Sequence, residues 1–203
     1  MFNRKNPLPK GSKKLIGAWT LYDWANSVYS LVISTAIFPI YYSEYIFANT
    51  DSIILFNIDL NKDTIISLVS ATAFMIVAFL SPFLSGIADY LGNKKTFMKF
   101  FVFLGSFSCI GLYWFELETI QFGLLLYVLA LIGLWGSLVF YNSYLPDITY
   151  PDQTNMVSAK GFTMGYIGSV ILLIINLIMI TYYEQLNLSS EVQAMKYSFV
   201  LVG

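Results

Sequence analysis

Five stretches of about twenty or more mostly apolar residues dominate this chain of 203 residues. A helix needs about 20 such residues to cross the hydrocarbon core of a bilayer, where no backbone polar group can stay unpaired. The composition agrees, because only 11% of the residues are charged, against about 25% in soluble domains. We therefore predict an all-α integral membrane protein with several spans. The predicted spans cover residues 15–47, 64–87, 97–115, 120–141 and 161–183.

A sixth apolar segment begins near Tyr197 and runs to Gly203. At the helical rise, a segment of this length covers about 10 Å, a third of the hydrocarbon core. We therefore expect an incomplete sixth helix and a chain that is a fragment of a longer protein. The predicted organisation is a basic cytoplasmic tail at residues 1–14, followed by a transmembrane bundle at 15–203. The longest loop, residues 48–63, leaves no room for a soluble catalytic domain.

The basic residues indicate how the chain is oriented. All but Lys62 and Lys196 of the 11 basic residues lie in the N-terminal tail or in the loops after the second and fourth spans. Loops rich in Lys and Arg stay on the cytoplasmic side of a membrane, so we expect a cytoplasmic N-terminus. The low charge and the frequent Ile, Asn and Lys suit a bacterium, and the expected location is the inner (cell) membrane.

The residue types that are rare or absent exclude several function classes. The chain has no histidine and one cysteine, Cys109, which excludes a disulfide framework, a Cys/His zinc site and a His-dependent catalytic triad. No glycine-rich phosphate-binding motif occurs. Basic residues do not outnumber acidic ones, so a nucleic-acid partner is not expected. We expect no cofactor, no metal and no enzymatic activity.

One carboxylate lies inside the first predicted span. Asp23 is about eight residues from the start of that span, where a charge costs a few kcal/mol and calls for a reason. Its helix face is polar, with Asn26, Ser27, Ser30 and Ser34 at helical spacing. This stripe either binds a solute or a proton along a translocation path, or only makes hydrogen bonds between helices. Asp23, Asn26 and Tyr22 are the candidate substrate or proton residues.

Other polar and small residues in the spans favour packing. Asn142 and Asn176 are expected to be packing amides. The fifth span has a face of small residues that allows close helix approach, and no ligand is assigned to it. That face consists of Gly161, Gly165, Gly168 and Ser169.

The loop after the second span reads SPFLSGIADYLGNKK over residues 81–95. This string resembles the cytoplasmic signature of the major facilitator superfamily. Two positions depart from the signature, since Ser85 replaces its first glycine and Tyr90 replaces a basic residue. Gly92 suits a tight turn between two membrane helices. The matching positions are Asp89, Gly92, Lys94 and Lys95.

Further strings narrow the match, namely WTLYDWAN at 19–26, TAIFP at 35–39, YLPD at 144–147, SAKGF at 158–162 and GYIG at 165–168. Together they are similar to the vacuole-effluxer-like branch of that superfamily. The resemblance covers the chain from about residue 19 to residue 203. It implies the N-terminal six-helix half of a major facilitator bundle, with the C-terminal half absent from the sequence.

The resemblance also implies a function. Superfamily members are secondary active transporters that move a small solute by alternating access between two six-helix halves. Gradient coupling is expected, and fungal members of the branch are associated with amino-acid efflux. A desolvated carboxylate such as Asp23 is able to exchange a proton. The implied conformational latch comprises Asp89, Gly92, Lys94 and Lys95, joined at the same cytoplasmic face by Asp147 and Lys160. The implied partners are a small-molecule solute, the lipid bilayer and the C-terminal half.

The alternative is a non-transporting membrane scaffold or assembly subunit. It explains the glycine faces, but it gives neither Asp23 nor the loop signature a task. An intramembrane enzyme is less favoured, because no intramembrane carboxylate pair or other catalytic constellation occurs in the sequence.

Overall fold

The structure, a computed structural model, describes residues 8–55 and 57–203 without the side chains of Asp89 and Leu91. Part of the predicted basic tail, with Arg4 and Lys5, lies outside the described residues. About 78% of the chain is helical, in agreement with an all-α membrane protein. Within the described ranges, four helices are long and apolar enough to cross a membrane. They are Lys62–Ala88, Lys94–Trp114, Ile120–Ile148 and Thr154–Thr181.

The first predicted span is helical over residues 13–46, hereafter the first helix. Ser12 caps its start, since the Ser12 Oγ accepts a hydrogen bond from the Leu15 amide at 3.3 Å. The helix changes its winding, with wider π-helical turns on both sides of Pro39. Pro39 has no amide proton to donate to the preceding turn. Its segments are α1 (Lys13–Val28), a π segment (Tyr29–Ile37), α2 (Phe38–Ile40) and a second π segment (Tyr41–Ile46).

The segment after the first helix contains a β-hairpin, where the sequence suggested only a loop. Strands β1 (Ser52–Leu55) and β2 (Ile58–Asn61) pair antiparallel. The hairpin is anchored at its base, where Lys62 Nζ lies 3.1 Å from the Asp51 carboxylate. The Tyr42 hydroxyl of the first helix also donates to the Lys62 carbonyl at 3.0 Å. Two strands of four residues are too short to stand out in a hydropathy pattern.

The remaining helices follow the predicted spans, with earlier starts for the last two. The fifth predicted span begins seven residues into its helix, and the sixth helix begins at Glu191 rather than near Tyr197. Hydropathy placed both starts too late, because polar residues form the first turns of these helices. These helices are α3 (Lys62–Leu91), α4 (Lys94–Gly111), a 3-10 turn (Leu112–Trp114), α5 (Ile120–Ser143), α6 (Leu145–Ile148), α7 (Thr154–Thr181) and α8 (Glu191–Val202).

The helices pack as two groups that share aromatic contacts. Helix α5 packs against α3 and α4, while the first helix packs against α7, and α8 contacts α4, α7 and the first helix. Phe38 of the first helix joins the groups, since its ring stacks on Tyr127 of α5 at 4.1 Å. The assignment as a six-helix half of a transporter stays a prediction.

The crossing of α4 and α5 depends on two glycines that face each other. A Cβ atom on Gly133 would lie 2.4 Å from the Cα of Gly105. We expect Gly133→Ala to lower the free energy of unfolding by about 1–3 kcal/mol, because backbone leaves no room for a methyl group. Gly17→Ala is the control, since a Cβ there meets nothing within 4 Å. Thermal unfolding in detergent measures both variants, and equal midpoints would contradict the packing.

Candidate functional site

Asp23 is buried where α1 faces α7, with 7% of its surface exposed. The Ser27 hydroxyl, one turn later, donates to the Asp23 Oδ1 at 3.1 Å. In the part of the chain that the structure describes, no lysine or arginine forms an ion pair with Asp23. A buried carboxylate without a cationic partner is costly unless it carries a proton or meets a positive charge from elsewhere.

The small-residue face of α7 provides the space for this carboxylate. A Cβ atom on Gly161 would lie 3.1 Å from the Asp23 Oδ2 and 2.6 Å from the Trp19 ring. A Cβ atom on Gly165 would lie 2.5 Å from the Ser27 hydroxyl. The predicted close approach of helices at this face is therefore confirmed, and its partner is the first helix.

Tyr22 and Asn26 form a separate network that points toward α5. The Tyr22 hydroxyl donates to the Asn26 Oδ1 at 3.3 Å, and the Ser137 hydroxyl of α5 donates to the same oxygen at 3.3 Å. The Asn26 amide nitrogen is buried and has no hydrogen-bond partner among the described residues. The structure thus pairs Tyr22 with Asn26 and Asp23 with Ser27.

Two aromatic residues that the sequence reasoning missed complete the surroundings of Asp23. Trp19 donates its indole N–H to the Tyr141 carbonyl at 3.0 Å, and the two rings stack at 4.3 Å. The Tyr141 hydroxyl is buried beside Asp23 and interacts with its carboxylate. Trp19 could have been found in the sequence, because it precedes Asp23 by one helical turn. Nothing in the sequence links Tyr141 to Asp23.

An open groove runs along the first helix beside Asp23. One cavity of about 270 Å³ holds Asp23 and Tyr141, and a second of about 340 Å³ follows it toward Thr35. The two cavities share Ser27, Ser30 and Phe162 in their walls, and together they are called the groove below. Among the residues that the structure describes, Asp23 is the only carboxylate in the walls, and no lysine or arginine lines them. The remaining lining residues include Trp19, Asn26, Trp135, Asn142, Ser158, Tyr166 and Ser169.

The two weaker asparagine candidates have different positions. Asn142 is exposed and lines the groove. Asn176 is fully buried, and its amide nitrogen donates to the Leu172 carbonyl of its own helix at 2.7 Å. Asn176 is thus placed as a packing amide would be, and Asn142 lies on the groove side of α5.

The sequence suggested that the polar stripe on the first helix continues to Ser34. In the structure it does not. The expected spacing assumed 3.6 residues per turn, but the turns from Tyr29 onward are π-helical and wider. Thr35, five residues after Ser30, therefore lines the groove, and its hydroxyl donates to the Ser30 carbonyl at 2.9 Å. The Ser34 hydroxyl is buried without a hydrogen-bond partner among the described residues.

At the turn between α3 and α4, the structure brings part of the predicted latch together. Lys94 Nζ lies 2.9 Å from the Asp147 carboxylate and 3.4 Å from the Ser143 carbonyl, so the start of α4 is joined to the end of α5. Gly92 has a φ of +62°, a left-handed conformation that favours glycine. Lys95 is exposed.

Two latch candidates are not placed in this cluster. Lys160 is exposed on α7, and no ion pair of it occurs among the described side chains. Asp89 belongs to the last turn of α3, but its side chain lies outside the described residues.

The N-terminal segment contacts the end of α6, because the Gly11 amide donates to the Ile148 carbonyl at 2.8 Å.

Comparison with known proteins decides the family. Residues 11–203 match the family described as vacuole effluxer Atg22 like. The chain belongs to this family, a branch of the major facilitator superfamily. It is 41% identical over 164 residues to the uncharacterized MFS-type transporter YxiO of Bacillus subtilis strain 168, which covers 80% of this chain and 37% of YxiO.

A second relative of this Atg22-like chain is an uncharacterized protein of Aquifex aeolicus strain VF5. The identity is 28% over 159 residues, covering 77% of this chain and 36% of the relative. The chain thus spans little more than a third of the length of each of these relatives. No solved structure matches it significantly.

The change of winding in the first helix predicts which side chains water reaches. On a Cys109→Ala background, Ser30→Cys and Thr35→Cys should react with a water-soluble maleimide at least about tenfold faster than Ser34→Cys, since thiol reactivity follows exposure. Labelling rates in membrane vesicles measure this difference. Faster labelling of Ser34→Cys than of Thr35→Cys would contradict this prediction and support a regular α-helical stripe.

Proposed function

We propose that this chain is the N-terminal half of a secondary active transporter that moves a small solute by alternating access. The observation that carries the proposal is Asp23, a buried carboxylate without a cationic partner among the described residues, in a groove between two membrane helices. Such a residue inside a membrane protein is typical of a substrate or proton pathway. Family membership supports the same class of function.

The length of the relatives supports a two-half arrangement. Because the Bacillus and Aquifex proteins are more than twice as long as the matched segment, they have room for a second bundle. In transporters of this superfamily, the solute site lies between the two halves near the middle of the membrane. We propose that the second half covers the open side of the groove.

In the proposed mechanism, Asp23 binds a proton and a solute in turn, or it only gains and loses a proton. The Ser27 hydroxyl orients the carboxylate, and the Gly161 face of α7 keeps the opposite wall close. Because neither residue supplies a positive charge, the charge of Asp23 is available to the transported species. The energy for transport then comes from an ion or solute gradient. The expected process is the efflux of amino acids.

The turn between α3 and α4 acts in this proposal as a conformational latch on the cytoplasmic side. The Lys94–Asp147 ion pair joins α4 to α6, and its two side chains are 20% and 54% exposed. Exposed pairs contribute little to stability, which suits a contact that forms and breaks during a transport cycle. Lys95, Lys160 and Asp89 are proposed to meet residues of the second half at the same face.

Asp23 provides the decisive test of transport. We expect Asp23→Asn to abolish gradient-driven flux while expression is retained, because the amide has nearly the same shape but neither holds a charge nor exchanges a proton. The measurement is uptake of a panel of radiolabelled amino acids and amines into inverted membrane vesicles with an imposed pH gradient. The control is Asp59→Asn, which alters an exposed carboxylate of the hairpin. Unchanged flux in Asp23→Asn would favour a scaffold, or a transporter that does not use this residue.

The latch predicts a shift between conformations. We expect Asp89→Ala to favour inward-facing states, because the turn loses a carboxylate that would hold the two halves together on the cytoplasmic side. The reporter is maleimide labelling of Ser30→Cys, which should become faster from the cytoplasmic side and slower from the outside. Glu118→Ala, in the loop before α5, is the control. Labelling that Asp89→Ala leaves unchanged on both sides would argue against a latch at this turn.

A further inference from the structure

We infer that Tyr141 is a positioning residue for Asp23, because its hydroxyl supplies the carboxylate with a hydrogen-bond donor from α5. This inference rests on the proposed role of Asp23 in transport, and it adds the residue that holds the carboxylate while Asp23 gains and loses a proton. It depends on side chains of the first helix and α5 that touch one another within the described part of the chain.

A buried carboxylate without a cationic partner depends on hydrogen bonds to its charged form. On its own helix, Asp23 has one hydrogen-bond donor among the described side chains, the Ser27 hydroxyl at 3.1 Å from Oδ1. The face of α7 that packs against Asp23 consists of glycines, which have no side-chain donor. A carboxylate has about four acceptor sites, so Ser27 leaves capacity for a second donor.

The Tyr141 hydroxyl is placed to be that second donor. It is buried, it interacts with the Asp23 carboxylate, and no other described group forms a hydrogen bond with it. Both residues line the same cavity of the groove. The titratable side chains that the described residues place beside Asp23 are Tyr22 on its own helix and Tyr141 on α5. A phenol is neutral near pH 7, so Tyr141 donates a hydrogen bond without neutralising the charge of Asp23.

Two contacts with Trp19 fix the position of Tyr141. The two rings stack at 4.3 Å with an angle of 10° between their planes, and the Trp19 indole N–H donates to the Tyr141 carbonyl at 3.0 Å. Trp19 precedes Asp23 by one turn of the same helix. The donor from α5 is therefore held relative to the helix that carries the acceptor, and such support keeps a site in its productive geometry.

Tyr141 keeps its own proton in this role. When Asp23 is ionised, the Tyr141 O–H donates to a carboxylate oxygen. When Asp23 is protonated, the same O–H donates to the carbonyl oxygen of the acid. The proton that Asp23 exchanges comes from the groove and returns to it. The substitution Tyr141→Phe removes the donor and keeps the ring that stacks on Trp19.

Infrared spectroscopy of the complete native protein in lipid tests this inference. An acid-minus-neutral difference spectrum contains the C=O band of protonated Asp23, which is identified by its loss in Asp23→Asn. We expect Tyr141→Phe to move this band to a higher frequency, because a carbonyl stretches faster when it accepts fewer hydrogen bonds. Gradient-driven flux should fall at least about tenfold, as expected for the loss of a hydrogen bond to a charged group.

Two further variants serve as controls. Tyr150→Phe removes the hydroxyl of an exposed tyrosine outside the groove, so it should change neither the Asp23 band nor the flux. Trp19→Phe keeps an aromatic ring and removes the indole N–H, so it should move the Asp23 band in the same direction by a smaller amount. This second variant keeps the test valid if size-exclusion profiles show that Tyr141→Phe does not fold.

The possible results separate this inference from the proposed function. An Asp23 band at the same frequency in Tyr141→Phe and in the unchanged protein would overturn the inference, even if flux falls, because the ring alone would then matter. The lack of an Asp23 band at every pH would also overturn it, since Asp23 would not exchange a proton. Flux that survives in Asp23→Asn would instead contradict the proposed role of Asp23 in transport.

Discussion

The close contact between the first helix and α7 is the constraint on which the candidate site depends. Without hydrophobic attraction between helices in lipid, association relies on close van der Waals packing and on hydrogen bonds between helices. The glycines of α7 permit that packing, because side chains of the first helix occupy the places where their Cβ atoms would lie. The same contact buries Asp23, so packing and the candidate chemistry share one interface.

The groove shows how one interface provides both rigidity and reactivity. One side of the first helix is held by stacked rings, with Trp19 on Tyr141 and Phe38 on Tyr127. The adjacent side presents Asp23 and hydroxyl groups to an open cavity. Rigid aromatic contacts therefore position a carboxylate whose charge is not neutralised by any described lysine or arginine. This combination is more useful for binding a transient partner than for stabilising the bundle.

The turn between α3 and α4 differs from the groove in its energetics. Its ion pair is partly exposed, and its glycine adopts a left-handed conformation that lets two long helices reverse direction within two residues. A conformational contact needs this modest strength, because a deeply buried ion pair would resist opening. The buried Asp23 and the partly exposed Lys94–Asp147 pair thus suit the different tasks proposed for them, one in binding and one in switching.

The sequence by itself determined the class of the protein, the approximate positions of the spanning helices and the resemblance to the family, and it singled out Asp23 as a candidate site residue. Long apolar runs and a charge inside a span are local features, and membrane physics gives each of them a direct meaning. Only the tertiary structure decided what surrounds Asp23. Tyr141 is more than a hundred residues away in the chain, and Thr35 replaces Ser34 in the groove because the helix winding changes at Tyr29. The early starts of α7 and α8 and the hairpin were also missed, since polar first turns and short strands lack an apolar pattern. Such features depend on contacts between distant segments and on backbone winding, and a periodicity read along one segment contains neither.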